Sequence, residues 1–375
     1  MAITSSKTNE RYQEYEKQRY RDFLCSLSDS ISFEDDCWYC EKHLKNRSHN
    51  KKHVNISFRQ IPKIYREMVK YYALIRLING VGVYTISCRV RNIAILFQFL
   101  NGAPLSDIDY VTASDFKSFL DNKSYTENTR YTIWAAAENF LHIMNGYDGI
   151  SFRNPLYKNP YTAGERLDYK YIPDFVARQL DMVFMKETVP LHIRTVYWLL
   201  RLIPSRISEI LGMEIDCLKP FDGHYCLTIP TWKQNGGYKE PLLRIIHIHG
   251  EGIGGYLLAL IREQQKAAHS YQEFLPSDKK GALFTRRQSM RYRNGKICYK
   301  DVYGPLTYVQ VRDSFQKICR EFDIRDESGE IYTVTTHQFR HNGITDRLRA
   351  GFTLAQIAET VSYTHLRAHE TLANL

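Results

Sequence analysis

The stretch TVTTHQFRHNGITDRLRAG, Thr333–Gly351, sets a histidine, an arginine and a second histidine within five residues. Its apolar residues Phe339, Ile344 and Leu348 recur at helical spacing, Thr335 or Thr336 can cap the start, and Gly351 can stop the run. Residues three and four apart share a helix face, so His337, Arg340 and His341 can point at one object. Histidines at i and i+4 fit zinc, but the H-E-x-x-H metalloprotease pattern needs a glutamate base where this chain has Gln338. A plain solvated basic face also fits. The third object is a phosphate, gripped by the arginine fork while a histidine donates or accepts a proton.

The rest of the chain must choose among these. Its 375 residues are enough for two or three domains, and a formal charge of +10 favours a polyanionic partner. The eight cysteines are scattered. No apolar leader follows Met1, and no run approaches the ~18 apolar residues of a membrane span. The expectation is a soluble, reduced, cytoplasmic protein with no membrane partner. Two basic blocks contain no acid: KHLKNRSHNKKH (Lys42–His53), with Lys42, Lys45, Arg47, Lys51 and Lys52, and RRQSMRYRNGKICYK (Arg286–Lys300), with Arg286, Arg287, Arg291 and Arg293. They read as exposed loops or helix faces, or as contacts to nucleic-acid phosphates. CWYCEKH (Cys37–His43), followed by His49 and His53, has a zinc-finger look, but only eight residues separate Cys40 from His49, where such a finger has about twelve. Thiols acting as small hydrophobes are the expectation there, and no metal is expected.

Residues 1–57 give no clear fold. From Phe58 the period becomes helical, through Ile64, Met68 and Ile75, then Ile86, Val90, Ile93 and Phe97. Two further helices follow, with Thr112 or Ser114 and Asn128 or Thr129 as candidate caps and Gly146 as a stop. A four-helix unit is therefore expected over 58–148, and a linker rich in glycine and proline over 149–171. Beyond it come more helices and one β-hairpin, its two strands flanking Gln234-Asn235-Gly236-Gly237. The expected class is mainly α with a small antiparallel β-sheet.

Against this background SRISEIL (Ser205–Leu211) gains meaning: Ser205 can cap a helix that turns Ile207, Ile210 and Leu211 inward, with Arg206 in its first turn and Glu209 one turn on. Lys233 closes a strand, and His337 and Arg340 follow on a late helix. This ordered set resembles the tyrosine recombinase (phage integrase) family over residues about 60 to 359. Pro204-Ser205 stands where family members commonly carry Thr-Gly. The resemblance implies a helical, SAM-like core-binding domain over 58–148 and an integrase-type catalytic domain over 172–359. It implies a site-specific recombinase from a mobile element that cleaves and rejoins DNA through a 3′-phosphotyrosyl intermediate, with no cofactor, and acts on double-stranded DNA as a homo-oligomer, a tetramer. Arg206 and Arg340 would hold the non-bridging oxygens, His337 would add a hydrogen bond or carry a proton, and Lys233 would protonate the leaving oxygen. The basic blocks would line the DNA. A DNA-binding accessory protein without chemistry, or a type IB-like topoisomerase, are the alternatives.

The family's last histidine or tryptophan box and its tyrosine are not found. TVSYTHLRAHETLANL (Thr360–Leu375) lacks apolar periodicity, and Val361–Thr371 reads as the translation of a transposon-end sequencing adaptor. The expectation is a native sequence ending near Glu359, with 360–375 non-native. Tyr363 follows the preceding helix too closely to serve as nucleophile.

Overall fold

The structure, a computed structural model, describes residues 2–44, 54–147, 154–163, 171–232, 240–289, 301–353 and 356–357. Lys45, Arg47, Lys51, Lys52, Lys233, Arg291, Arg293 and the segment 358–375 lie outside these. The chain forms two compact units, drawn mainly from residues up to 166 and from 167 onward.

The first unit is helical. Helices α1 (Ala2–Leu27), α2 (Lys63–Ile78), α3 (Val83–Leu100), α4 (Tyr110–Asp121) and α5 (Glu127–Met144) accompany a two-stranded antiparallel ribbon of β1 (Cys37–Tyr39) and β2 (Asn55–Ser57). The four expected helices are α2–α5. Two caps differ from expectation. Asp109, not Thr112 or Ser114, caps α4, because its carboxylate accepts from both the N–H and the hydroxyl of Thr112 at 2.8 Å. Thr126, not Asn128 or Thr129, caps α5 by accepting from the Thr129 N–H at 3.3 Å.

Residues ahead of α2 share this unit's core. Leu24, Leu27, Phe33, Trp38, Ile56 and Phe58 are buried with the apolar faces of α2–α5. Phe33 packs on Tyr71 with ring centroids 4.8 Å apart, and Lys70, its charge disfavoured by burial, lies over the rings of Phe33 and Phe58. Cys40 is a buried apolar filler whose thiol burial pushes up to about 12, while the Cys37 thiol donates to Asn55 Oδ1 at 2.9 Å. Residues 154–163, inside the expected linker, pack onto the same unit. Leu156 and Tyr161 are buried, Trp134 Nε1–H donates to the Leu156 carbonyl at 3.0 Å, and Tyr161 donates to Asp121 at 2.9 Å.

The second unit comprises α6 (Asp174–Phe184), α7 (Leu191–Leu202), α8 (Ile207–Leu211), β3 (Leu218–Phe221), β4 (His224–Thr231), β5 (Leu242–Ile248), α9 (Gly252–Tyr271), β6 (Thr285–Ser289), β7 (Asp301–Pro305), α10 (Tyr308–Glu321) and α11 (Thr336–Arg349). Tyr197 of α7 centres an aromatic core, stacked on Phe184 at 4.0 Å and edge-on to Phe315 and Phe339. Its buried hydroxyl donates to Asp181 at 2.5 Å, and Arg201 completes that carboxylate's contacts at 3.2 Å.

The expected hairpin is β4–β5, in register from Tyr225↔Ile248 to Thr231↔Leu242. Sequence reading missed β3, which joins β4 through Asp222 and Gly223, both at positive φ (40° and 77°). Asp-Gly is the preferred pair for such a two-residue turn, because both central residues must be left-handed. The second basic block begins within β6, where Arg286 pairs with Gly304 and Arg287 with Tyr303.

Candidate functional site

The loop after α7 builds the first half of the site. Pro204 cannot continue a helix, the backbone runs extended through Ile203, and Arg206 takes the N-cap position of α8. Ser205 was the expected cap; instead its hydroxyl accepts from Arg244 Nη2 at 2.5 Å. The N-cap role falls to Arg206 because Glu209, three residues on, reaches back: its Oε2 accepts from the Arg206 backbone N–H at 2.9 Å.

Glu209 is the hub. Its Oε1 accepts from Arg206 Nη1 at 2.8 Å and from the Thr231 hydroxyl, at the end of β4, at 3.0 Å. Its Oε2 lies 3.7 Å from Arg244 Nη2 and 3.9 Å from Arg340 Nη1. Arg340 also donates to the Pro204 carbonyl at 3.4 Å. Side-chain exposure separates the roles: 3% for Glu209 and Arg340, 7% for Arg244, but 23% for Arg206. Three guanidiniums surround this one buried carboxylate, leaving surplus positive charge for an incoming anion. Burial lowers the Arg244 pKa, opposed by the attraction of Glu209.

The second half is α11. Thr335 is its N-cap, as expected, and Gln338 Oε1 accepts from the Thr335 N–H at 2.7 Å while Gln338 Nε2 donates to the Tyr332 hydroxyl at 2.9 Å. The residue that breaks the metalloprotease pattern thus starts the helix. Phe339 and Ile344 are buried, and Gly351 (φ 83°) follows the helix end. His337 is exposed one turn before Arg340, and His341 stands edge-on to it with ring centroids 4.7 Å apart.

Gly343 fixes how closely α11 approaches the first half. A Cβ there would lie 2.9 Å from Pro204 Cβ and 3.0 Å from Pro204 Cγ, and a proline ring cannot swing aside. Gly343→Ala is therefore expected to destabilise the chain by about 1–3 kcal/mol, the scale of overpacking, although alanine is the better helix former. Urea unfolding checks this; a stability equal to or above the parent's would refute the close-approach argument.

The structure brings Arg206 and Arg340 together on Glu209, with His337 one turn before Arg340 on α11. Lys233 is two residues beyond Thr231 and outside the described residues. Arg244 and Thr231 were missed by sequence reading, and Glu209 was seen only as a neighbour of Arg206. Arg244 had a signal: in LLRIIHI it alternates with Ile246 and Ile248, which puts it in phase with the inward face. Among the basic-block residues, Lys42 donates to the Cys25 carbonyl at 2.8 Å and pairs with Asp29. Arg286 is half-buried, with burial lowering its pKa, and Arg287 is exposed.

No family model matches the chain. Among curated proteins it is similar to transposase B from transposon PsiTn554 of Staphylococcus aureus, 25% identical over 328 residues covering 83% of this chain and 46% of that protein. Transposase B from Tn554 of S. aureus strain Mu50 is 24% identical over the same length. The chain thus spans about half the length of the curated relatives it matches. Its fold is similar to that of the XerH site-specific recombinase bound to difH substrate (TM-score 0.55, 14% identity, 94% of this chain and 89% of that one). It is similar as well to the Tn1549 transposon integrase in complex with circular intermediate DNA (0.53, 17%, 80% and 93%) and to a lambda integrase tetramer bound to a Holliday junction (0.54, 13%, 80% and 76%). The chain thus shares its fold with these recombinases and integrases, in agreement with the fold that the family resemblance implies.

Proposed function

We propose that the chain is a tyrosine-type site-specific DNA recombinase of a mobile element, breaking and rejoining duplex DNA through a covalent 3′-phosphotyrosyl intermediate. The observation that carries this reading is the convergence of Arg206 and Arg340, remote in sequence, on the buried carboxylate of Glu209. A phosphodiester under attack gathers negative charge on its non-bridging oxygens, and preorganised guanidiniums stabilise that charge more than the ground state's. In this reading Arg206 and Arg340 take the oxygens, while Glu209 and Thr231 orient Arg206. His337 donates to the phosphate or carries the nucleophile's proton, and Lys233 protonates the leaving 5′ oxygen. Arg244 adds to the positive field from behind. Work on DNA would proceed in a homotetramer, in line with the lambda integrase tetramer bound to a Holliday junction whose fold is similar.

The testing experiment is trapping. The chain, read through from Glu359 into its genomic continuation, is incubated with nicked duplexes from the ends of the carrying element. A protein–DNA species that survives denaturant and maps to a tyrosine is the expected product. DNA binding without any such species, over the full set of end sequences, would instead identify a DNA-binding accessory protein.

Binding has its own expectation. With a net charge of +10 and several phosphate contacts, affinity for duplex DNA should fall severalfold for each doubling of salt. Arg287→Ala should lower the slope of log affinity against log salt by about one, as for one lost phosphate contact. A mobility-shift series showing salt-independent association contradicts the assignment.

A further inference from the structure

The sheet that carries Thr231 and Arg244 toward Glu209 has a second face. Side chains alternate along a strand, so while Leu227, Ile229, Arg244, Ile246 and Ile248 turn inward, Cys226, His247 and His249 stand on the outer face. Cys226 and His247 are direct cross-strand partners, and His224 begins β4 immediately after the Asp222-Gly223 turn. Three potential ligand atoms from these residues lie within 4.8 Å of one another. His224 Nε2 is 2.7 Å from His247 Nδ1, and Cys226 Sγ is 3.7 Å from that same nitrogen.

His224 Nδ1 lies 2.9 Å from the Asp222 carbonyl oxygen, which can only accept, so Nδ1 donates there and Nε2 is the nitrogen that faces His247 Nδ1, where a bound cation would replace the hydrogen bond between the two rings. A backbone carbonyl on the far nitrogen is the usual way a ligating histidine is oriented. Phe221 packs edge-on against the rings of His224 and His247, at 5.4 and 6.2 Å, which limits their rotation. Zinc bonds of about 2.0–2.1 Å to nitrogen and 2.3 Å to sulfur make tetrahedral edges of roughly 3.3 Å (N to N) and 3.6 Å (N to S). The Cys226–His247 separation already matches, the two nitrogens need to part by roughly half an ångström, and Cys226 Sγ lies within 4.8 Å of the His224 nitrogen, which a cation would draw in.

We propose that His224, Cys226 and His247 form a binding site for a thiophilic divalent cation of the zinc class, with a fourth position open to water or to His249, whose ring centroid is 5.9 Å from that of His224. Two imidazoles and one thiolate select zinc over magnesium or calcium, which take oxygen ligands. The site is on the opposite face of the sheet from Arg244, so it does not compete for the phosphate. It ties the β3–β4 turn to β5 and fixes the β4–β5 register, on which the inward placement of Arg244 depends.

The test uses the whole chain, stripped with chelator and titrated with Co²⁺ as a spectroscopic stand-in for zinc. The expected result is a saturable signal at one equivalent, with tetrahedral d–d bands and a thiolate-to-cobalt charge-transfer band. Cys226→Ser should abolish the charge-transfer band, and His247→Ala should weaken binding at least about tenfold. Cys37→Ser should leave the signal intact. Should a variant fail to fold, the parent chain decides alone: Zn²⁺ should slow alkylation of Cys226, followed by mass spectrometry, at least about tenfold, since a coordinated thiolate is withheld from the reagent. A charge-transfer band that survives Cys226→Ser or disappears in Cys37→Ser, or alkylation of Cys226 at the same rate with and without Zn²⁺, overturns the proposal.

Discussion

Arg340→Ala is expected to lower DNA cleavage by at least about a hundredfold, the scale for removing one preorganised donor from a transition state. Duplex binding should shift by no more than one phosphate contact's worth of salt dependence, about one unit of slope. The asymmetry follows from placement: Arg340 is nearly buried and held against Glu209 and the Pro204 carbonyl, so it contributes little surface for ground-state association. Arg206→Ala should match it in cleavage and exceed it in binding, because Arg206 is the most exposed of the three guanidiniums. Single-turnover formation of the covalent species on a nicked duplex, alongside a salt series, measures both. Near-normal cleavage by either variant would remove these arginines from the site.

Glu209→Ala should cost about 3–5 kcal/mol of folding stability, the range for deleting one member of a buried ion network and leaving the other charges uncompensated. Arg244 and Arg340 would then face each other in the interior with no anion between them, and the Thr231 hydroxyl and Arg206 backbone N–H would lose their acceptor. Urea unfolding gives the number. Glu209→Gln keeps an acceptor oxygen and the shape, so its loss should be smaller. A glutamine variant as damaged as the alanine would locate the effect in charge, and an alanine variant within ~0.5 kcal/mol of the parent would show that the network contributes nothing measurable.

The helices were legible because their apolar period is long and regular, as in α2–α5 and α11. Caps were less so: several polar residues crowd each helix start, and the choice between Asp109 and Thr112 rests on which side chain meets which N–H. Residues 1–57 resisted reading because α1 is polar over most of its length, leaving no apolar stripe to mark a helix, and because β1 and β2 are three-residue strands, too short for any alternation to register. At the site, Arg206, His337 and Arg340 were singled out by the ordered motifs that carry the family resemblance, since an arginine at a helix start is by itself an ordinary surface residue. Glu209's task could not be found in this way, since a carboxylate three residues after an arginine is ordinarily a surface pair, and only the arrival of β4, β5 and α11 makes it a buried hub. Strand β3 was hidden for a different reason: its Asp-Gly turn is a strong signal, but LKPF contains a proline and pairs along only one edge.

The contact between Gly343 and Pro204 has a consequence for how such a chain can vary in length. The distance from Arg206 to Arg340 is set where a helix backbone rests on a proline ring, not by the residues that run between the two arginines. Segments inserted in the β4–β5 or β6–β7 connections therefore leave the spacing of the guanidiniums unchanged. The intervening chain is free to change in length, while the spacing of the two guanidiniums stays a matter of two residues touching.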